Sequence, residues 1–200
     1  MLVFKSIKRF AVVMSAFTAF VSVPVLSTPI QASAQTLTAS YRTSTSLPPD
    51  VRYDSSIRTY LNGHWHNGPI AGRNATWQQK YNAVLAVAKS QLGVPYVWGH
   101  QVAYQGFDCS NFTAYVYHHA LGYKMSGASQ TQNHYVGWRV PKSSMRPGDL
   151  LIFENGKHVG IYIGNDKMIE EGGGLGKVGY LSVRPGTYWG NHITAVKRMF

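Results

Sequence analysis

The chain has a single cysteine, Cys109, in the run Gly106-Phe107-Asp108-Cys109-Ser110-Asn111-Phe112, and eight histidines from which a partner for it can be drawn. The thiolate is the nucleophile, and with a reference pKa of about 8.5 a free cysteine is only a few per cent ionised at neutral pH. Two arrangements favour the ionised form. One is the first turn of a helix, where backbone N–H groups without intrahelical partners and the positive end of the dipole attract an anion. The same N–H groups can hold the oxyanion of a tetrahedral intermediate. The other is a histidine near enough to form an imidazolium-thiolate pair. Cys109 opens a segment with helical character and follows Asp108, a residue suited to cap it.

The histidines separate by location. His118 and His119 lie on the same predicted helix as Cys109, too far along it to reach back. His64 and His66 belong to the N-terminal part, His100 and His134 to irregular connections, and His192 just precedes the last predicted strand. His158 opens the apolar strand His158-Val159-Gly160-Ile161-Tyr162-Ile163-Gly164, directly after a turn. A histidine at such an edge can face a helix N-terminus packed against the sheet. His64-Trp65-His66 lacks a third metal ligand at a useful spacing, and reads as exposed polar residues around a packed tryptophan. No metal and no organic cofactor is expected.

The elements that must position these groups are legible in the periodicity. Trp77, Tyr81, Val84, Leu85, Val87, Ala88 and Leu92 recur at helical spacing with Gly93 as a stop, and a second helix runs from about Cys109 to Leu121, ending at Gly122. After Pro147-Gly148 the pattern changes to short apolar runs at 149–154, 158–164, 167–171, 178–183 and 193–199, separated by turn residues such as Asn155-Gly156 and Gly164-Asn165-Asp166. Helices first and an antiparallel sheet afterwards predict an α+β fold.

Lys5, Lys8 and Arg9 precede an apolar stretch from Phe10 to about Leu26 and then Ala32-Ser33-Ala34, which reads as a secretory signal over residues 1–34. Outside the cell a lone thiol has no internal disulfide partner, so reactivity is the better account of it. The 19 Lys and Arg against 8 Asp and Glu give +11; removing the three basic residues of the signal leaves 16 minus 8, or +8. That charge suits acidic cell-wall polymers, and the basic residues are scattered rather than clustered for nucleic acid. Residues 35–74, dense in Ser and Thr with Pro48-Pro49, read as a linker or loosely packed N-terminal extension. A single domain over 75–200 follows, expected to be a secreted monomer with no stable membrane insertion once the signal is cut.

From about Leu92 to Phe200 the chain resembles the NlpC-type cell-wall peptidases, papain-like cysteine enzymes of bacterial envelopes. The residues carrying the likeness are Gly93-Val94-Pro95-Tyr96-Val97-Trp98-Gly99, Gly106-Phe107-Asp108-Cys109-Ser110, Pro147-Gly148-Asp149-Leu150 and His158-Val159-Gly160-Ile161-Tyr162-Ile163-Gly164, in the family's order. The resemblance implies a papain-like fold, with Cys109 as nucleophile and His158 as base. It implies a third residue on the following strand to orient the histidine, most often a histidine itself. Here the family spacing falls on Glu170 of Lys167-Met168-Ile169-Glu170-Glu171; Glu171 is the alternative, because adjacent strand residues point to opposite faces. A plain dyad with two surface glutamates is a further alternative.

Tyr96, Asp108 and Ser110 match positions that in the family contact substrate; they also read as a core aromatic, a helix cap and a small first-turn residue. Three departures bear on specificity: His100 and Asn111 replace glycines, and Ser126-Gly127-Ala128 stands where the family often has Pro-Arg-Ser or Pro-Arg-Thr. The implied activity is hydrolysis of an amide in a peptidoglycan stem peptide, between γ-D-glutamyl and the following L-diamino acid. The alternatives are an N-acetylmuramoyl-L-alanine amidase or cross-bridge endopeptidase of the related cysteine-histidine amidase type, and a non-catalytic wall-binding protein on the same fold.

Overall fold

The structure, a computed structural model, describes residues 46–200. The segment read as a secretory signal and the start of the Ser/Thr-rich stretch lie outside the described residues. Helix α1 (Trp77–Lys89) begins at Thr76, whose side chain accepts the Gln79 N–H while the Gln79 side chain takes the Thr76 N–H, a reciprocal capping box. Its stripe of Ala83, Val84, Val87 and Ala88 is buried and packs on α2 (Cys109–Leu121). The apolar spacing extends to Leu92, but the helix stops at Lys89: Ser90 Oγ bonds the Val87 carbonyl, the chain turns, and Leu92 is left exposed.

Helix α2 has the predicted boundaries. Asp108 caps it by accepting the Asn111 N–H at 2.8 Å, and Gly122 closes it in the left-handed region at φ 72°. Glycine is required there, since a Cβ would lie 2.7 Å from the Asp54 carbonyl oxygen. Phe112, Val116, Tyr117, Ala120 and Leu121 are fully buried, which makes α2 the central helix of the domain.

It lies on one face of a six-stranded antiparallel sheet formed by β7 (Trp138–Val140), β8 (Leu150–Phe153), β9 (His158–Gly164), β10 (Lys167–Glu171), β11 (Val178–Ser182) and β12 (Ile193–Arg198) in the order β11-β10-β9-β8-β12-β7. Five of these strands answer to the predicted apolar runs; β7, three residues on the sheet edge beside β12, carries too short a pattern to be read. Val159, Ile161 and Ile169 pack toward α2, while Leu151, Phe153, Tyr162, Met168 and Val196 form a second cluster on the opposite face with Trp189. Trp189 belongs to a single turn, α4 (Tyr188–Asn191). Covering both faces is why β8 reads Leu-Leu-Ile-Phe without alternation. The α+β architecture is the expected one.

Residues 46–74 are not loosely attached. They contain β1 (Arg52–Tyr53), which pairs with β6 (Tyr123–Lys124), and the hairpin of β2 (Arg58–Leu61) with β3 (His64–Asn67). The segment satisfies the end of α2, whose last carbonyls have no intrahelical partner. Ile70 N–H bonds the His119 carbonyl at 3.1 Å, Ala71 N–H that of Ala120 at 2.8 Å, and Asp54 N–H that of Gly122 at 2.8 Å. Backbone hydrogen bonding with a few buried anchors, Val51, Leu61 and Ala71, does what a low aliphatic content gave no reason to expect. Trp65 is likewise not the packed residue expected: it is 62% exposed.

Candidate active site

Cys109 stands at the first position of α2 because Asp108 stops the chain from entering the helix earlier. The Asp108 carboxylate is held by four donors: the Asn111 N–H and Ser110 Oγ on Oδ1, the Gly99 N–H and Asn111 Nδ2 on Oδ2, at 2.8 to 3.1 Å. That ties the aromatic connection to the helix start. In the connection, Val97 N–H bonds the Phe107 carbonyl and Phe107 N–H that of Pro95. The pairing brings Tyr96 alongside Cys109.

His158 is placed by register. It opens β9 opposite Phe153 of β8, and two residues on, Gly160 stands opposite Glu170 of β10. Residues i and i+2 of a strand share a face, so His158 and Glu170 are diagonal neighbours on one side of the sheet. The His158 Nε2 to Glu170 Oε2 distance is 2.9 Å with the glutamate fully buried, an ion-pair contact in which the ring N–H does not aim straight at the oxygen. Gly160 makes room, since a Cβ there would lie 3.1 Å from that of Glu170. Glu170 Oε2 also accepts the Gly173 N–H at 2.6 Å, and the Trp189 ring lies 4.7 Å from that of His158. With Nε2 engaged by Glu170, Nδ1 is the ring nitrogen left for the thiol.

Cys109 and His158 line one cleft of about 350 Å³ with Tyr96, Asp108 and Ser110. Burial pulls the imidazolium of His158 down more than any other single influence. Cys109 and Glu170 together outweigh it and bring the group up to about 9. Tyr96 is pushed up by burial and by the negative charge of Cys109, Asp108 and Glu171 around it. The structure therefore gathers all six residues singled out in the sequence, with Asp108 and Ser110 engaged to each other within the helix cap. Size does not mark the site: a hollow of about 720 Å³ between the hairpin and α1, bounded by Leu61, His66, Gln79 and Asn82 among others, is larger but carries no thiol or carboxylate.

Glu171 points the other way. It shares the face of Ile169, toward α2, is fully buried, and neither carboxyl oxygen has a hydrogen-bond partner. Burial, then the charges of Glu170 and Asp108, raise it to about 8. The folded chain thus holds a proton on Glu171 that the unfolded chain releases near pH 4.5, so this group's contribution to stability is complete below that pH and is lost as pH rises through about 8. Glu171→Gln, which cannot ionise, is expected to flatten the fall in melting temperature between pH 5 and pH 8.5. Parallel melting curves for the two proteins would refute it.

Two features escaped the sequence reading. Trp189, which shields the His158-Glu170 pair, lies in a four-residue turn with no periodic signal; only Gly172-Gly173-Gly174 hinted that something large packs there, a Cβ on Gly173 meeting both Trp189 and Glu170. The second is a pin behind the cleft. In the one-and-a-half-turn helix α3 (Ser129–His134), buried Gln132 donates to the carbonyls of Ser110 and Ser126 and accepts from Thr113. Two of the family departures prove coupled, because any side chain at Gly127 would collide with Asn111.

Among the described residues no group of three or more His, Cys, Asp or Glu is placed to hold a metal, and no helix is long and apolar enough to cross a membrane.

A cysteine on a helix start, facing a histidine that opens a central strand of an antiparallel sheet, defines a papain-like α+β protein. Residues 93–198 match the NlpC/P60 family, and the chain belongs to it. Among curated relatives it is 32% identical over 156 residues to the probable endopeptidase YafL of Escherichia coli, covering 68% of this chain and 62% of that one. It is 33% identical over 121 residues to the gamma-DL-glutamyl hydrolase of Bacillus subtilis, covering 58% and 28%. The match thus spans less than two thirds of these relatives.

Among solved structures, the peptidoglycan hydrolase RipB of Mycobacterium tuberculosis aligns at 31% identity and TM-score 0.53 over 62% of this chain and 66% of that one. RipD of the same organism, described as a non-catalytic domain adapted to peptidoglycan binding, aligns at 29% and 0.51 over 62% and 100%. The resuscitation promoting factor interacting protein RipA aligns at 27% and 0.53 over 72% and 71% in a form altered at a glutamate; another form is altered at a histidine twelve residues before it. His158 and Glu170 are twelve residues apart as well.

Proposed function

We propose that the protein is a secreted peptidoglycan hydrolase that cuts the amide between γ-D-glutamyl and the following L-diamino acid of a stem peptide, with Cys109 as nucleophile, His158 as base and Glu170 orienting the histidine. The observation that carries this reading is the 2.9 Å contact between His158 and Glu170 at the rim of the cleft that holds Cys109. A binding protein has no physical need for a buried carboxylate at that place. The interval shared with the altered residues of RipA supports the role of Glu170, the likeness to a gamma-DL-glutamyl hydrolase supports the choice of bond, and the N-terminal pattern supports secretion. Lys157, on the cleft wall, supplies a cation for a substrate carboxylate where the family arginine is missing.

In the reaction the Cys109 thiolate adds to the carbonyl carbon, and the oxyanion is held by the Cys109 backbone N–H, which at the first helical position has no carbonyl one turn back. The intermediate collapses as the imidazolium of His158 gives its proton to the leaving nitrogen, freeing the amine and leaving a thioester. Neutral His158 then takes a proton from water, the hydroxide adds to the thioester, and collapse releases the carboxylic acid and regenerates the thiolate-imidazolium pair. Tyr96 and residues 127–130, which lead into α3, form the walls against which the peptide lies.

Purified muropeptides incubated with the protein and resolved by mass spectrometry test the reading. A product with a free N-terminal diamino acid is expected. Lactyl-peptide products would instead identify the amidase chemistry, and intact substrate with retained wall binding the non-catalytic alternative.

A further inference from the structure

We propose that the exposed aromatic basin of Tyr60, Trp65 and Tyr104, floored by Tyr115 and His119, is a carbohydrate site that holds amino-sugar rings of a glycan strand while a stem peptide of the same strand lies in the Cys109 cleft. The choice of ligand rests on the peptidoglycan reading above. The basin has a volume of about 550 Å³, within the range of about 300–1,000 Å³ usual for small-ligand sites. Tyr60 is 38%, Tyr104 50% and Trp65 62% exposed. Three large rings left in water on one patch mark a binding surface rather than a packing accident. Their arrangement is ordered: the Tyr60 ring centre lies 5.3 Å from that of Trp65 and 6.3 Å from that of Tyr104, and the Arg58 guanidinium sits 4.9 Å over Trp65.

The walls are rigid. Tyr104 adopts φ 64°, a conformation that costs a bulky side chain about 1–3 kcal/mol and persists only where the surroundings impose it. Here its N–H is held at 2.9 Å by Oε1 of the fully buried Gln91. In the floor, the Tyr115 and His119 rings lie 4.2 Å apart, and burial lowers His119 to about 4, so the imidazole is neutral. Apolar ring faces rimmed by phenol hydroxyls and one guanidinium match a sugar ring, which presents C–H groups on its faces and hydroxyl and acetamido groups around its edge.

The basin is joined to the cleft twice. Trp98 lines the cleft and Tyr104 the basin, both on the connection that leads into α2. Tyr115 and His119 lie six and ten residues beyond Cys109, about 9 and 15 Å along the helix axis. That is the reach of roughly three to four extended residues at about 3.4 Å each. In the proposed substrate two residues and a lactyl ether separate the scissile carbonyl from the sugar, a comparable span. Tyr60 and Trp65 lie outside the segment shared with the family, residues 93–198, so this wall of the basin is added to a floor that the family segment supplies.

The test uses the full chain carrying Cys109→Ala, titrated with the N-acetylglucosamine tetramer and followed by isothermal titration calorimetry, so that binding is read whether or not any peptide is cleaved. Saturable binding is expected, lost in Cys109→Ala/Trp65→Ala and weakened at least tenfold by adding Tyr104→Ala, with melting temperatures showing that both variants fold. With active protein, KM for a disaccharide-linked stem peptide is expected to lie about five- to tenfold below that for the same peptide without sugar, and Trp65→Ala to bring the two values together. No saturable binding of the tetramer, equal KM values in the parent, or capture of a proline-rich peptide in place of the tetramer would overturn the assignment. A parent that cleaves sugar-free peptides yet fails the titration sinks the basin alone.

Discussion

Cys109→Ala is expected to reduce hydrolysis of muropeptides by about 10³-fold or more while leaving the fold intact. The comparison is with serine-type sites, where removing the nucleophile removes the covalent route and leaves only what binding and oxyanion contacts supply. The substitution deletes one sulfur from a position packed at the edge of the main cluster, so stability should change by about 1 kcal/mol or less, within the ordinary range for a single substitution. The variant should also stop reacting with thiol-directed reagents, since the chain has no second cysteine. Activity retained near the parent level would mean that another group attacks the carbonyl.

Glu170→Gln is the second large effect, and its sign in pH is specific. Burial opposes the imidazolium of His158, and the thiolate and the Glu170 carboxylate together raise it to about 9. Since productive attack requires the thiolate-imidazolium pair, activity should fall on the alkaline side as that proton is lost. Replacing the carboxylate with an amide removes one of the two supports. The alkaline limb should move down by about one unit or more, each unit being about 1.4 kcal/mol of lost preference for the charged form. A one-unit displacement lowers the rate about twofold at pH 8 and toward about tenfold above pH 9, and the deficit should vanish toward pH 6, where the imidazolium forms without help. An unchanged limb and rate would remove Glu170 from the catalytic unit. Glu171→Gln is the informative control: Glu171 is on the opposite face of β10 and should leave the limb near its parent position.

Much of this site is legible in the sequence. Asp108, Cys109 and Gly122 predicted α2 to the residue, because a cap, a run without breakers and a left-handed glycine are local signals. Strands β9 and β10 were equally plain, being bounded by turn residues. The attachment of the extension is not legible in the sequence, since it runs through backbone groups on the end of α2 and β6, which side-chain composition does not report. Trp65 was expected to be packed because tryptophan usually is; on a two-stranded hairpin it has a neighbour on one side only.

The sequence by itself determined which chemistry was available: one thiol at a helix start, a histidine at the head of a strand, and two adjacent glutamates from which a third member could come. It could not say which of those glutamates meets His158, because a strand alternates faces and the face is set by pairing with other strands. Only the tertiary structure decided that, by setting Glu170 across from Gly160 and turning Glu171 toward α2, where it is buried without a hydrogen-bond partner. The same holds for the Trp189 cover and the aromatic basin, each assembled from residues distant in the chain. Local signals state what a residue can do; the environment that makes a carboxylate an ion-pair partner or a neutral acid comes from elements the chain brings together afterwards.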